Sequence, residues 1–68
     1  MSKYQLMSEL YNRCSKGESP LGVFQELINR PQVSGIVEGP FYIGNKPSSV
    51  KLGFKEVDGS SVTSIFAL

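Results

Sequence analysis

The chain contains no histidine, no tryptophan and one cysteine, Cys14. Without an imidazole there is no base to activate a serine or cysteine nucleophile in the manner of the hydrolase triads. One thiol excludes an internal disulfide. A zinc site would have to be assembled from that thiol and scattered carboxylates, so neither a metal nor any other cofactor is expected. A lone free thiol fits a reducing compartment, and a cytoplasmic location is the expectation. No apolar run approaches the roughly 20 residues that cross a bilayer, and Met1-Ser2-Lys3-Tyr4-Gln5 lacks the apolar core of a secretory leader. An excess of charge is also missing. Seven basic residues face six acidic ones, a net +1, whereas domains that live on phosphate contacts are usually markedly basic.

Length is the other scarce quantity. Sixty-eight residues make a single domain that buries only about 60% of its unfolded surface. A core of that size supplies roughly 3–5 kcal/mol without a staple. With disulfide and metal set aside, what remains is an unaided core, self-association or a partner protein.

What is present divides the chain into a helical and a strand-forming part. Residues 2–16 carry Tyr4, Met7, Tyr11 and Cys14 at helical spacing, with Leu6 and Leu10 widening the stripe. Ser2 and Gln5 form a capping box, Glu9 and Arg13 an i,i+4 pair, and Gly17 offers a left-handed cap. Ser19-Pro20 opens a second helix over about 20–30 with Leu21, Phe24, Leu27 and Ile28 on its apolar face. Glu26 and Arg30 stand at pairing distance on it, and Pro31 should end it.

From Val33 onward the pattern alternates, and glycines punctuate it. Asp58-Gly59 predicts a two-residue hairpin turn, pairing Val57 with Ser60, Phe54 with Thr63, Leu52 with Ile65 and Val50 with Ala67. A four-residue loop, Asn45-Lys46-Pro47-Ser48, would pair Ile43 with Val50, Tyr42 with Lys51 and Phe41 with Leu52. Paired residues share a face. The core face is then Phe41, Ile43, Val50, Leu52, Phe54, Ile65 and Ala67, with Thr63 at its margin. The predicted class is α+β: two N-terminal helices packed on one face of a three- or four-stranded antiparallel β-meander over about 33–68. A slip of one residue in either turn would exchange the faces.

Local motifs point away from catalysis. Ser48-Ser49-Val50-Lys51 matches Ser-x-x-Lys, but it enters a strand and lacks the companion motifs. Gly39 to Pro47 misses the phosphate-loop pattern, because Asn45 separates Gly44 from Lys46 and Pro47 replaces the hydroxyl residue. Cys14 lies near a helix C-terminus, where the dipole opposes a thiolate. The carboxylates are spread over every element, and no two are spaced as an acid–base pair. An enzyme is not expected.

The one candidate site is the outer sheet face. In this register Tyr42, Lys51 and Phe66 lie side by side, Lys55 and Val62 follow two positions along, and Gly53 leaves a shallow spot between the lysines. Aromatics of this kind are enriched at protein interfaces; they also serve as ordinary surface and pin sheets by cross-strand contact. The apolar stretch Ser64 to Leu68 forms an edge open to a second copy, unless Val33 to Val37 folds across it. The expected function is a non-enzymatic protein-binding module, an inhibitor or adaptor that covers a partner's surface, with no membrane contact. In size, charge balance and lack of catalytic groups the chain resembles small phage-encoded inhibitors and regulators, an analogy of class alone. The alternative is a small nucleic-acid-binding regulator that uses the same face or the second helix.

Overall fold

A computed structural model describes residues 2–34 and 37–68, with the backbone but not the side chains of Ser34 and Asn45. Helix α1 spans Lys3–Ser15, α2 Pro20–Ile28 and the short α3 Pro31–Ser34. Strands β1 (Phe41–Lys46), β2 (Ser49–Lys55) and β3 (Ser61–Ala67) form an antiparallel sheet in the order β1-β2-β3. The α+β class holds, with helices preceding a three-stranded meander.

The capping expectations for the helices are met. Ser2 Oγ accepts from the Gln5 amide while Gln5 Oε1 accepts from the Ser2 amide. Gly17, at φ 96°, lets the Glu18 amide reach the Arg13 carbonyl at 3.2 Å and its own amide reach Cys14 at 3.1 Å. That is the paired 6→1 and 5→2 closure of a Schellman end. Ser19 caps α2 ahead of Pro20. The buried stripe of α1, however, is Lys3, Leu6, Met7 and Leu10, with Tyr4 and Tyr11 exposed. On α2 it is Val23, Phe24 and Leu27, with Leu21 and Ile28 only half-buried.

The ion pairs run between helices rather than along them. Arg30 binds Glu9 through two 2.8 Å hydrogen bonds, and Arg13 reaches Glu26 at 2.7 Å as well as Glu18 at 2.6 Å. The expected Glu9–Arg13 and Glu26–Arg30 pairs thus exchange partners, because α1 and α2 lie antiparallel and each arginine meets a carboxylate across the gap. Hydrogen bonding to Arg13 holds the Glu18 and Glu26 carboxyls below their ordinary range, and Glu9 raises Arg30.

Helix α2 ends at Ile28, ahead of Pro31 as expected, and Pro31 opens the short α3. Val33, expected in a strand, is buried from a helical turn, and its carbonyl accepts from Val37 at 2.9 Å. Val37 then bridges Glu56 at the β1 side of the sheet, so among the described residues of this segment Val37 lies at the edge opposite β3. Ile36 lies outside the described residues.

Both hairpins depart from the predicted register by one residue. The second closes around three residues, Val57-Asp58-Gly59, with Glu56 N donating to Ser60 O at 2.9 Å and Gly59 N to Glu56 O at 3.0 Å. A two-residue Asp-Gly turn needs positive φ at both positions. Here only Gly59 has it, at 91°, and no non-glycine residue does. Phe54 therefore pairs with Val62, Leu52 with Ser64 and Val50 with Phe66. In the first hairpin the turn tightens to Pro47-Ser48, Lys46 pairs with Ser49, and an irregularity between Ile43 and Lys46 absorbs one residue of β1. Phe41 pairs with Gly53, Tyr42 with Leu52 and Ile43 with Lys51.

The middle strand keeps its expected inner set, and the two outer strands invert theirs. Val50, Leu52 and Phe54 join Leu6, Met7, Leu10, Val23, Phe24, Leu27, Val33, Val37 and Phe66 in one core. Phe24 and Phe54 meet as tilted rings with centroids 5.3 Å apart. Phe41, Ile43, Thr63, Ile65 and Ala67, expected inside or at the core's margin, face outward instead.

Leu52 is 0% exposed at the centre of β2. Leu52→Ala should cost about 2–5 kcal/mol, which thermal or urea melting would register as loss of most of the folded population. The arginine pairs predict an acid limb. Because Glu18 and Glu26 have depressed folded values, their contribution is complete above the ordinary carboxylate pKa of about 4.3. It is lost as pH falls through the lower folded values. Melting temperature should be flat from pH 7 to about 5 and fall below about 4, and Arg13→Met should flatten that fall.

Candidate functional site

The five residues expected to share the outer face are divided between its two sides. Lys51 and Lys55 are outside and exposed. Val62 packs against the core, and Phe66 is 7% exposed beneath α1, its ring 5.1 Å from that of Tyr11. Tyr11 also shares a hydrogen bond with Ser64. Tyr42 lies on the helix side at the edge of the sheet, where with Leu21, Phe24, Gln25, Ile28 and Pro40 it lines a shallow groove against α2. The arrangement of Tyr42, Lys51 and Phe66 side by side does not exist, because one-residue shifts turn β1 and β3 over relative to β2.

What replaces it is a different surface on the same sheet. From the pairing, successive rows of the outer face are Lys46–Ser49–Ala67, Ile43–Lys51–Ile65, Phe41–Gly53–Thr63 and Lys55–Ser61. Ile43 is 40% and Ile65 71% exposed, flanking Lys51. No acidic residue occurs in any of the three strands, whereas Lys46, Lys51 and Lys55 all do. Glu9, Glu18 and Glu26 are engaged on the arginines and Glu56 at the start of α1, while Glu38, exposed ahead of β1, donates its backbone amide to the Lys55 carbonyl at 2.8 Å.

Gly53 is not an open spot. It is buried under Phe41 and Thr63, and a Cβ built on it would meet Phe41 Cζ at 2.6 Å and also the Thr63 methyl. The missing side chain lets the Phe41 ring lie against the sheet, which leaves Ile43–Lys51–Ile65 as the one three-residue row exposed throughout. For Ile65 the sequence held one signal, Gly59, the residue of its loop best suited to left-handed backbone; for Phe41, Ile43 and Lys46 it held none, because their outward placement follows from the irregularity between Ile43 and Lys46.

The sheet's far corner is held by a polar cluster. Lys3, 6% exposed, donates from Nζ to Ser60 Oγ at 2.6 Å and lies 3.8 Å from Glu56 Oε2. Its backbone amide donates to Glu56 Oε1 at 3.0 Å, so Glu56 satisfies a free N–H at the positive end of α1. Asp58 Oδ1 accepts from the Ser60 amide and hydroxyl, and those bonds hold its carboxyl below the ordinary range.

Cys14 borders a groove of about 590 Å³ with Tyr11, Pro20, Phe66 and Leu68. Burial pushes its thiol up, and Glu18 pushes the same way, opposite to the environment of a reactive thiolate. Among the described residues no three Cys, Asp or Glu side chains come together as a metal would need. No described helix is long and apolar enough to cross a membrane.

The packing over Gly53 makes a prediction. Gly53→Ala should destabilise the fold by about 1–3 kcal/mol through overpacking. Adding Phe41→Ala should recover part of the loss, a non-additivity that paired melting curves would detect. Comparison with protein-family models, with curated proteins and with solved structures finds no match to the chain.

Proposed function

We propose that this protein is a non-enzymatic binding module, an inhibitor or adaptor that covers a partner protein with the outer face of its sheet. The observation that carries the reading is the row Ile43–Lys51–Ile65, exposed across all three strands with no carboxylate in any of them. Aliphatic side chains held out from a rigid sheet gain by desolvation against another apolar surface. Lysines around them favour a partner whose patch is rimmed by aspartate and glutamate, and they speed encounter more than they add affinity.

The nucleic-acid alternative is less well supported by this face. Single-strand binding on a sheet rests on aromatics that offer open π-faces to bases. Phe41, the only aromatic in the outer rows, is half-buried against Gly53. Tyr42 and Phe66, which gave that reading its force, are on the helix side. Both isoleucines would be left without apolar contact on a phosphate backbone.

Affinity capture from the native host with wild type, Ile43→Ser and Lys51→Glu tests the proposal, with recovered protein and nucleic acid assayed separately. A specific protein should be retained by wild type. Ile43→Ser should weaken its binding by about 2 kcal/mol, some thirtyfold, and Lys51→Glu should act mainly through a slower on-rate. A labelled single-stranded oligonucleotide should show no saturable binding at about 0.15 M salt. Recovery of nucleic acid whose affinity falls steeply with salt would overturn the reading, as would equal retention by all three proteins.

A further inference from the structure

The two outer strands of the sheet differ in how their edges are protected. The β1 edge is flanked by Pro40 and Pro47, carries Lys46, and is broken by the irregularity between Ile43 and Lys46. Each of these is a device that discourages another chain from adding a strand. The β3 edge has none. From Ser60 to Leu68 there is no charged residue and no proline, and all seven residues of β3 pair with β2 without interruption.

The direction of the free backbone groups follows from the ladder. Glu56 N donates to Ser60 O at 2.9 Å, and Leu68 N to Ser48 O at 2.9 Å. Antiparallel pairs alternate between hydrogen-bonded and non-bonded. Hence Val62, Ser64 and Phe66 bond inward to β2, and the amides and carbonyls of Ser61, Thr63, Ile65 and Ala67 point out from the sheet. All four residues are exposed.

We propose that two copies of this chain pair antiparallel along β3, about a two-fold axis at Ser64, to form one six-stranded sheet. An antiparallel pair about that axis sets Ser61 opposite Ala67 of the second copy and Thr63 opposite its Ile65. Every outward group is then used: four residues on each copy, each with one donor and one acceptor, make eight hydrogen bonds. Moving the axis by one residue leaves some of them unmatched. The neutral strand lets two identical edges meet with no like charges opposed, a condition that a lysine or glutamate anywhere on it would spoil. The pairing also sets the two Ile65 side chains as diagonal neighbours on the outer face, within reach of each other, which gives a partner to the most exposed of the described isoleucines.

This inference stands apart from the partner-binding reading, and the variants separate them. Sedimentation velocity from about 1 to 100 µM should give a species of twice the 7.5 kDa chain mass. Ile65→Lys should shift the mass to that of a monomer by opposing like charges across the axis. Ser61→Pro removes one outward donor at the first residue of the strand, a place that tolerates proline, and should weaken association at least tenfold while circular dichroism stays unchanged. Lys51→Glu, in the middle strand, should leave the dimer intact whatever it does to partner capture. In a Cys14→Ser background, Ser64→Cys sits opposite itself in a non-bonded pair and should form an intermolecular disulfide on mild oxidation, whereas Ser61→Cys should not. A wild-type monomer at 100 µM overturns the proposal, as does a dimer that survives both edge variants or a cross-link at Ser61 in place of Ser64.

Discussion

At Gly59 the backbone takes φ of 91°, and the hairpin between β2 and β3 closes around three residues because only one of them reaches that region cheaply. A two-residue loop would have placed Asp58 in left-handed geometry as well, which aspartate tolerates but adopts less readily than glycine. The loop length decides the pairing, and the pairing decides which side of the sheet every side chain of β3 occupies. Phe66 goes beneath α1 and Ile65 goes out. The burial of Phe66 and the exposure of Ile65 are both consequences of where one glycine stands.

The helices are fastened to this sheet in two different ways. Leu6, Leu10 and Leu27 are fully buried, and their removal from water supplies most of the attraction. Polar contacts set the geometry. Arg13 and Arg30 tie α1 to α2 across their exposed sides, where water screens the attraction, so the pairs orient more than they stabilise. Lys3 is different, since its buried ammonium is held by Ser60 and Glu56. Placing an amine there and leaving it unpartnered would be costly. The cluster therefore fixes the start of α1 over the second hairpin.

Much of this arrangement was legible in the sequence. The capping signals of Ser2, Gln5, Gly17, Ser19 and Pro20 have local causes, and local causes survive folding. Val50, Leu52 and Phe54 were also legible, because a middle strand keeps its inner set whichever way its neighbours slide. Register in β1 and β3 was not, since Asp58-Gly59 suits both a two-residue and a three-residue loop and nothing local signals the irregularity after Ile43. The same gap hid the exposed face, with Tyr42, Val62 and Phe66 exchanged for Ile43 and Ile65. The partners of Arg13 and Arg30 were hidden for a related reason: a pairing between helices depends on how they lie together, which spacing along one helix does not express.

The contacts that seat α1 span most of the chain. Lys3 meets Glu56 across 53 residues and Ser60 across 57, and Tyr11 meets Ser64 across 53. Helix α1 is thus completed by β3 and the loop before it, which are synthesised 53 to 57 residues later. A ribosome adding roughly 5–20 residues each second leaves α1 without its counterpart for about 3–10 s. During that interval Leu6, Met7 and Leu10 have no sheet to cover them, while the two hairpins need only near neighbours. Synthesis therefore delivers α1 and α2 as a pair before the sheet that covers their remaining apolar side exists.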